Sequence, residues 1–235
     1  MSIRRPHIWP ILLLLFFSSI LFGQNIANTD EIPPQAINNL LQGKRYTPAY
    51  RHVKGTQYLT NDWKLGIVNY MDHPYADLPI WYDTYADELI LLDWQGYGYG
   101  YIKLVRELIQ SFTFDGRHFI NPLYGSYKKY KLEGAFYEEV INDQITLLIR
   151  RSTEIRETNF NYEFVRKDKK ILLKDGVLFE LSNKKSLLKL LGDKDKMLIN
   201  TYIKKNIRRF KDASDQDWVQ LLRYYNNLLT QDEIN

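Results

Sequence analysis

No cysteine occurs anywhere in the 235 residues. That absence excludes disulfides, a thiolate nucleophile, Cys-ligated zinc and the acylated cysteine of a lipoprotein anchor. Histidine is almost as scarce, and beyond residue 23 only His52, His73 and His118 remain. There is no G-x-S-x-G, no H-E-x-x-H, no P-loop and no EF-hand loop, so the common signatures of hydrolases, zinc proteases, nucleotide binders and calcium sensors are missing. No repeat of fixed period is visible either.

Aromatic side chains are abundant. With 18 Tyr, 11 Phe and 5 Trp they make 14% of the chain. Tyrosine joins an apolar ring to a polar tip, which suits half-exposed sheet faces and sugar- or peptide-binding surfaces equally. Hydrophobic content of 45% and charged content of 26% are ordinary for a globular protein. The length allows one domain with a sizeable core.

Met1–Gly23 opens with Arg4 and Arg5 and then runs apolar from Ile8 to Gly23. A positive start, a short apolar core and a small residue before a polar stretch describe a secretory signal peptide. The apolar run is shorter than the roughly 20 residues that span a bilayer comfortably; the alternative is a retained anchor. Cleavage after Gly23 would leave Gln24 first, although Leu21 is bulky where a small residue is preferred. The expected location is therefore the periplasm or the outer surface.

Charge is unevenly spread. Asn183–Lys211 carries ten Lys/Arg against Asp193 and Asp195, in a chain whose formal total is only +4. Such a segment can steer a molecule toward acidic partners such as lipid head groups or acidic glycans. It can equally be the solvated face of a few helices. No specific nucleic-acid partner is expected outside the cytoplasm.

The chain reads as a signal peptide (1–23), a polar N-terminal arm (24–54) and a single β-rich domain (55–235) with C-terminal helices over 184–229. Trp63–Met71, Leu78–Tyr82 and Glu88–Asp93 are rich in β-branched and aromatic residues and bounded by turn residues, as sequential antiparallel strands are. Ile102–Gln110 fits a strand or two helical turns. Asp115-Gly116, Asn142-Asp143 and Asp175-Gly176 each sit between alternating runs and announce hairpins. Pro122–Glu133 reads as a long loop, and Arg150–Asn161 as a charged stretch joining strands or extending one. Asn183 can cap a helix from Lys184, and Ser214-x-x-Asp217 forms a capping box before an apolar stripe from Trp218 to Leu229. These features predict the α+β class, an antiparallel meander or roll of about 8–10 strands followed by three helices.

Candidate site residues fall in two groups. Gln95–Tyr101 alternates Gly and Tyr, so an extended chain projects Tyr97, Tyr99 and Tyr101 to one face. With Trp81, Tyr82, Tyr85 and Trp94 they form a candidate aromatic platform. The same Tyr residues would serve as well in a flexible loop or as a cover for a neighbouring strand. Asp83, Asp87, Glu88 and Asp93 form the densest acid group. They fit turn chemistry, oxygen ligation of an ion or an acid–base pair for glycoside cleavage; in the platform reading Asp83 and Asp87 are its polar handles. Asp72-His73-Pro74, near Asp77, is either a metal corner or a solvated turn. His118 reads as a cross-strand neighbour. No cofactor is expected.

The pattern K-L-G-I-V, then L-P-I-W-Y-D-x-Y-A-D-E-L, then K-D-x-x-x-x-E-L-S-N-K-K-S-L-L-K-L-L resembles an uncharacterised family of exported envelope proteins of Gram-negative bacteria. The resemblance covers about Gly55 to Leu229, implies export, and transfers no site. Together these features lead to the expectation of a non-catalytic exported binding or structural protein whose partner is an envelope component, a glycan or a peptide. An envelope-glycan hydrolase using Asp83, Asp87 or Glu88 and a membrane-surface protein held by basic helices are the alternatives. Oligomeric state is open at this level.

Overall fold

Three two-residue turns set the framework. Met71-Asp72, Asp115-Gly116 and Asp175-Gly176 hold both residues at positive φ, for example 52° and 71° at the second. This mirror-image turn matches the right-handed twist of the strands it joins. Each is closed by one facing pair: Tyr70 with His73, Phe114 with Arg117, and Lys174 with Val177.

The computed structural model describes residues 43–93, 100–158, 161–191 and 193–234. Met1–Gly23, the first part of the arm, Trp94, Tyr97 and Tyr99 lie outside the described residues. In chain order the strands are β1 (Lys44–Arg45), β2 (Val53–Lys54), β3 (Lys64–Tyr70), β4 (His73–Asp83), β5 (Glu88–Asp93), β6 (Gly100–Lys103) and β7 (Ile109–Phe114). They continue with β8 (Arg117–Ile120), β9 (Tyr137–Asn142), β10 (Ile145–Arg150), β11 (Thr153–Thr158), β12 (Asn161–Arg166), β13 (Lys169–Lys174) and β14 (Val177–Leu181). Three helices close the chain: α1 (Lys184–Leu190), α2 (Asp193–Asn206) and α3 (Asp215–Ile234).

Eleven strands form one antiparallel sheet in the order β1-β6-β5-β4-β3-β7-β8-β9-β10-β13-β14, and β11-β12-β2 form a second. The α+β class stands. The large sheet has one strand more than the sequence suggests, because β1 comes from the segment read as an arm; β2, from the same segment, joins β11 of the charged stretch and β12 just after it in the second sheet.

The sheet is not flat. β6 and β7 run the same way with β5, β4 and β3 between them, a separation of about 19 Å in a flat sheet. Leu104–Leu108 alone joins them, and Arg106–Leu108 is a tight 3-10 turn. A chain covers at most about 3.3–3.6 Å per residue when extended, so the sheet must curl to bring β6 and β7 within reach. Its inner face holds Tyr75, Ile80, Tyr82, Phe112, Phe114, Phe119 and Phe136, each at most 1% exposed, with Leu104 and Leu108 of the link packed against them. Gly66 permits the closure: a Cβ there would lie 2.6 Å from the Thr113 carbonyl oxygen and 2.9 Å from Phe114 Cβ.

Farther along the same face, helices take over. Ile145, Leu147 and Ile149 of β10 and Leu172 of β13 pack with Leu187, Ile199, Ile203, Trp218, Leu221 and Leu222. Both caps form as their residues dictate. Asn183 Oδ1 accepts from Ser186 N at 2.9 Å, and Asp217 Oδ2 accepts from Ser214 N at 2.8 Å while Ser214 Oγ accepts from Asp217 N at 3.1 Å.

Arg151 lies at the seam between the two cores. Only 5% of its side chain is exposed, and it donates to Glu138 at 2.6 Å, Asp168 at 2.8 Å and Asp215 at 2.8 Å. The three acids come from β9, from the turn before β13 and from the first turn of α3. Glu138 faces Phe119 on one side and Ile149 on the other, which puts this cluster between the aromatic and the aliphatic packing.

Candidate functional site

Strand alternation sorts the predicted residues onto opposite faces. Leu78, Ile80 and Tyr82 of β4 point into the inner core, so Trp81 points out. Trp63, one residue before β3, and Tyr101 of β6 emerge on that same outer face. There they form a ladder with Tyr58: Tyr58 on Trp81 at 4.2 Å, Trp81 on Trp63 at 4.0 Å, and Trp63 on Tyr101 at 5.6 Å, all within 20° of parallel. All four residues are half-buried. Beside them Leu65 and Ile67, on the outer side of β3, are 66% and 46% exposed. The indole N–H of Trp81 is buried and has no hydrogen-bond partner among the described residues.

Asp83 anchors the ladder from behind. Its Oδ2 accepts from the Tyr46 hydroxyl at 2.9 Å and Gln57 Nε2 at 3.0 Å, and the Tyr46 and Tyr58 hydroxyls lie 3.0 Å apart. Its Oδ1 accepts from the backbone N–H groups of Tyr85 and Ala86 at 3.0 and 2.9 Å, folding the β4–β5 turn. All these bonds leave Asp83 1% exposed and spent on positioning. Burial, with help from Tyr58 and Asp83, pushes the Tyr46 phenol far above its ordinary value, so it stays a donor.

The remaining candidates go elsewhere. Tyr82 is a fully buried core residue, its ring 5.4 Å from Phe112 and 5.3 Å from Phe119. Tyr85 packs edge-on against Tyr50 at 4.8 Å and Phe164 at 5.7 Å, stapling the turn to the smaller sheet. Asp87 accepts from the Tyr82 hydroxyl, from Arg106 and from Phe136 N. Burial raises its carboxyl above the usual range even though Tyr82 and Arg106 act in the other direction. Asp87, Glu88, Lys103 and Arg106 line a cavity of about 330 Å³, in which Lys103 Nζ sits 2.7 Å from Glu88.

Of the predicted platform, the structure thus unites Trp81 and Tyr101, places Asp83 behind them, and separates Tyr82, Tyr85 and Asp87. Trp63, Tyr58 and Tyr46 were not among the predicted residues. Trp63 was findable, because it continues the alternation of Leu65 and Ile67. Tyr58 and Tyr46 sit in segments with no periodic signal.

The other motifs resolve simply. Asp72 accepts from Gln110 Nε2 at 2.7 Å in the β3–β4 turn, and His73 is exposed at the start of β4. His118 lies 3.0 Å from the Thr113 hydroxyl across the β7–β8 pair. Among the described residues no group of three or more His, Asp or Glu side chains is arranged to hold a metal, and no helix is long and apolar enough to cross a membrane. No protein-family model, curated protein or solved structure matches the chain.

Proposed function

We propose that this is an exported, non-catalytic binding protein of the bacterial envelope that takes a glycan or peptide on its outer sheet face. The ladder of Tyr58, Trp81, Trp63 and Tyr101 supports this reading most directly. Parallel rings left half-open to solvent beside exposed Leu65 and Ile67 make an apolar patch of the kind that marks ligand or partner sites. The open edges of the stacked rings, together with Leu65 and Ile67, offer apolar contact to a sugar ring or to the side chains of an extended peptide. Export is supported by the arginine-led apolar segment Met1–Gly23.

Tryptophan fluorescence tests the site. Titration with envelope-type oligosaccharides or short peptides is expected to shift emission, and Trp63→Ala is expected to weaken the best ligand about tenfold, near 1.4 kcal/mol. Binding that is unchanged in Trp63→Ala, or no response to any oligosaccharide or peptide, rejects the reading. Sequencing the mature N-terminus tests export, with Gln24 expected first.

A glycan-hydrolase reading draws on one observation, the buried, upward-shifted Asp87 carboxyl beside Glu88 in the 330 Å³ cavity. Its check is hydrolysis of an envelope glycan that is lost in Asp87→Asn at neutral pH while the circular dichroism spectrum shows the fold retained.

A further inference from the structure

A second cavity, of about 440 Å³, shares no lining residue with the ladder and opens where the end of the large sheet meets the helices. Lys170 of β13, Lys184 of α1 and Lys211 of the 3-10 turn Phe210–Asp212 line it. Phe210 and Trp218, edge to face at 5.0 Å, supply its apolar wall.

The charges there do not cancel. Asp168 is the one acid in the lining, and it is already matched: Oδ2 takes Arg151 at 2.8 Å and Oδ1 accepts from Ser152 N at 3.1 Å. Lys170 lies 3.7 Å from Asp215, an acid that Arg151 also holds. Lys184 and Lys211 form no ion pair among the described residues. Two cations therefore face one cavity with no counter-charge, inside the segment that carries ten Lys/Arg against two Asp. Both ammonium groups reach solvent, Lys211 exposed and Lys184 half-buried, so an anion entering the cavity meets two positive charges that no acid neutralises.

The shape of that anion follows from the donors. Arginine, whose planar fork matches a carboxylate, is absent from the lining. Lysine ammonium groups act as point charges and suit the multiple oxygens of a phosphate. The Phe210–Trp218 wall suits a short carbon skeleton or sugar ring attached to it.

We infer that this cavity binds a phosphate monoester or diester carried on glycerol or a sugar, whether free in solution or as the head group of a lipid. The site is independent of the aromatic ladder, so loss of one leaves the other intact.

Calorimetric titration with glycerol phosphate at low ionic strength, with glycerol as the neutral control, tests it. Glycerol phosphate is expected to bind, to weaken as salt rises, and to lose about tenfold or more in affinity in the double variant Lys184→Gln/Lys211→Gln. Both side chains reach solvent, so the melting point of that variant is expected to match the wild type. Phosphatidylglycerol vesicles separate the two sources. Vesicle binding that excess glycerol phosphate displaces assigns the site to head groups, and glycerol phosphate binding without vesicle binding assigns it to a soluble ligand. Glycerol phosphate binding no tighter than glycerol, or equal binding by the double variant, overturns the inference.

Discussion

The inner face of the large sheet is filled in two ways. From β3 to β8 half of its buried residues are rings: Tyr70, Tyr75, Tyr82, Phe112, Phe114, Phe119 and Phe136 lie inside a curl of the sheet among Val, Leu and Ile, with only the short Leu104–Leu108 link drawn across. From β10 to β14 it is covered by α1, α2 and α3 through Ile and Leu, with Trp218 and Tyr225 the exceptions among its buried residues. A curled sheet leaves an irregular hollow that a few large rigid side chains fill well. A helix laid on strands needs ridges and grooves of aliphatic size. The aromatic excess of the sequence thus goes in part to the inside of the curl and the ladder outside it, and in part to smaller clusters such as Tyr50–Tyr85–Phe164 and Tyr202–Tyr224.

The joint between the two regions is the place to break the comparison. Arg151→Ala leaves Glu138, Asp168 and Asp215 without their common partner and is expected to cost about 3–5 kcal/mol, as removing one side of a buried ion pair does. Denaturant titration followed by helical and aromatic circular dichroism would show whether the two regions then still unfold together. One coincident transition at wild-type stability would mean the seam contributes little.

A smaller pair of changes sharpens the contrast in packing. Phe112→Leu removes a ring that stacks on Phe119 at 4.7 Å and meets Tyr82 and Phe136. It is expected to destabilise by about 2 kcal/mol or more through the hollow it leaves. Leu147→Met, nearly volume-conserving under the helices, is expected to cost less than about 1.5 kcal/mol. Equal costs would remove the distinction between a ring-filled and a helix-covered face.

The smallest effects are electrostatic and opposite in sign. Burial works upward on Asp215, but Arg151, Lys170 and Arg117 outweigh it and hold its carboxyl below the ordinary range. Its contribution to stability is present above the unfolded-state pKa and lost as pH falls through the lower folded value. Burial raises Asp87, so its contribution is present below the unfolded-state pKa and lost as pH rises through the raised folded value. Melting curves of Asp215→Asn and Asp87→Asn across acid pH check this. The stability advantage of wild type over the first variant is expected to shrink with acidification, and over the second to grow.

The residues that made the fold readable are those whose chemistry acts locally. Asp115-Gly116 and Asp175-Gly176 need no partner to turn the chain, and Ser214 with Asp217 caps α3 from within. The β11–β12 hairpin was missed because Glu154, Arg156, Glu157 and Glu163 cover both of its faces, so hydrophobic alternation is absent. The link through Arg106 was ambiguous because its apolar residues answer to the curl of the sheet and not to a period of its own. At the site, alternation reaches Trp81, Trp63 and Tyr101. It cannot say that Asp83, at the end of β4, supports the ladder while Asp87 meets Tyr82 and Arg106, since both flank one tight turn.

The short passage from β6 to β7 also sets an order of assembly. The hairpins around Gly116 and Gly176 close between near neighbours, on a time scale of about 1–10 μs. The meeting of Gly66 with Phe114 joins distant parts of the chain and must wait until Leu104–Leu108 has swung across. Non-local encounters of that kind are slow, so the curl is expected to close after those hairpins have formed.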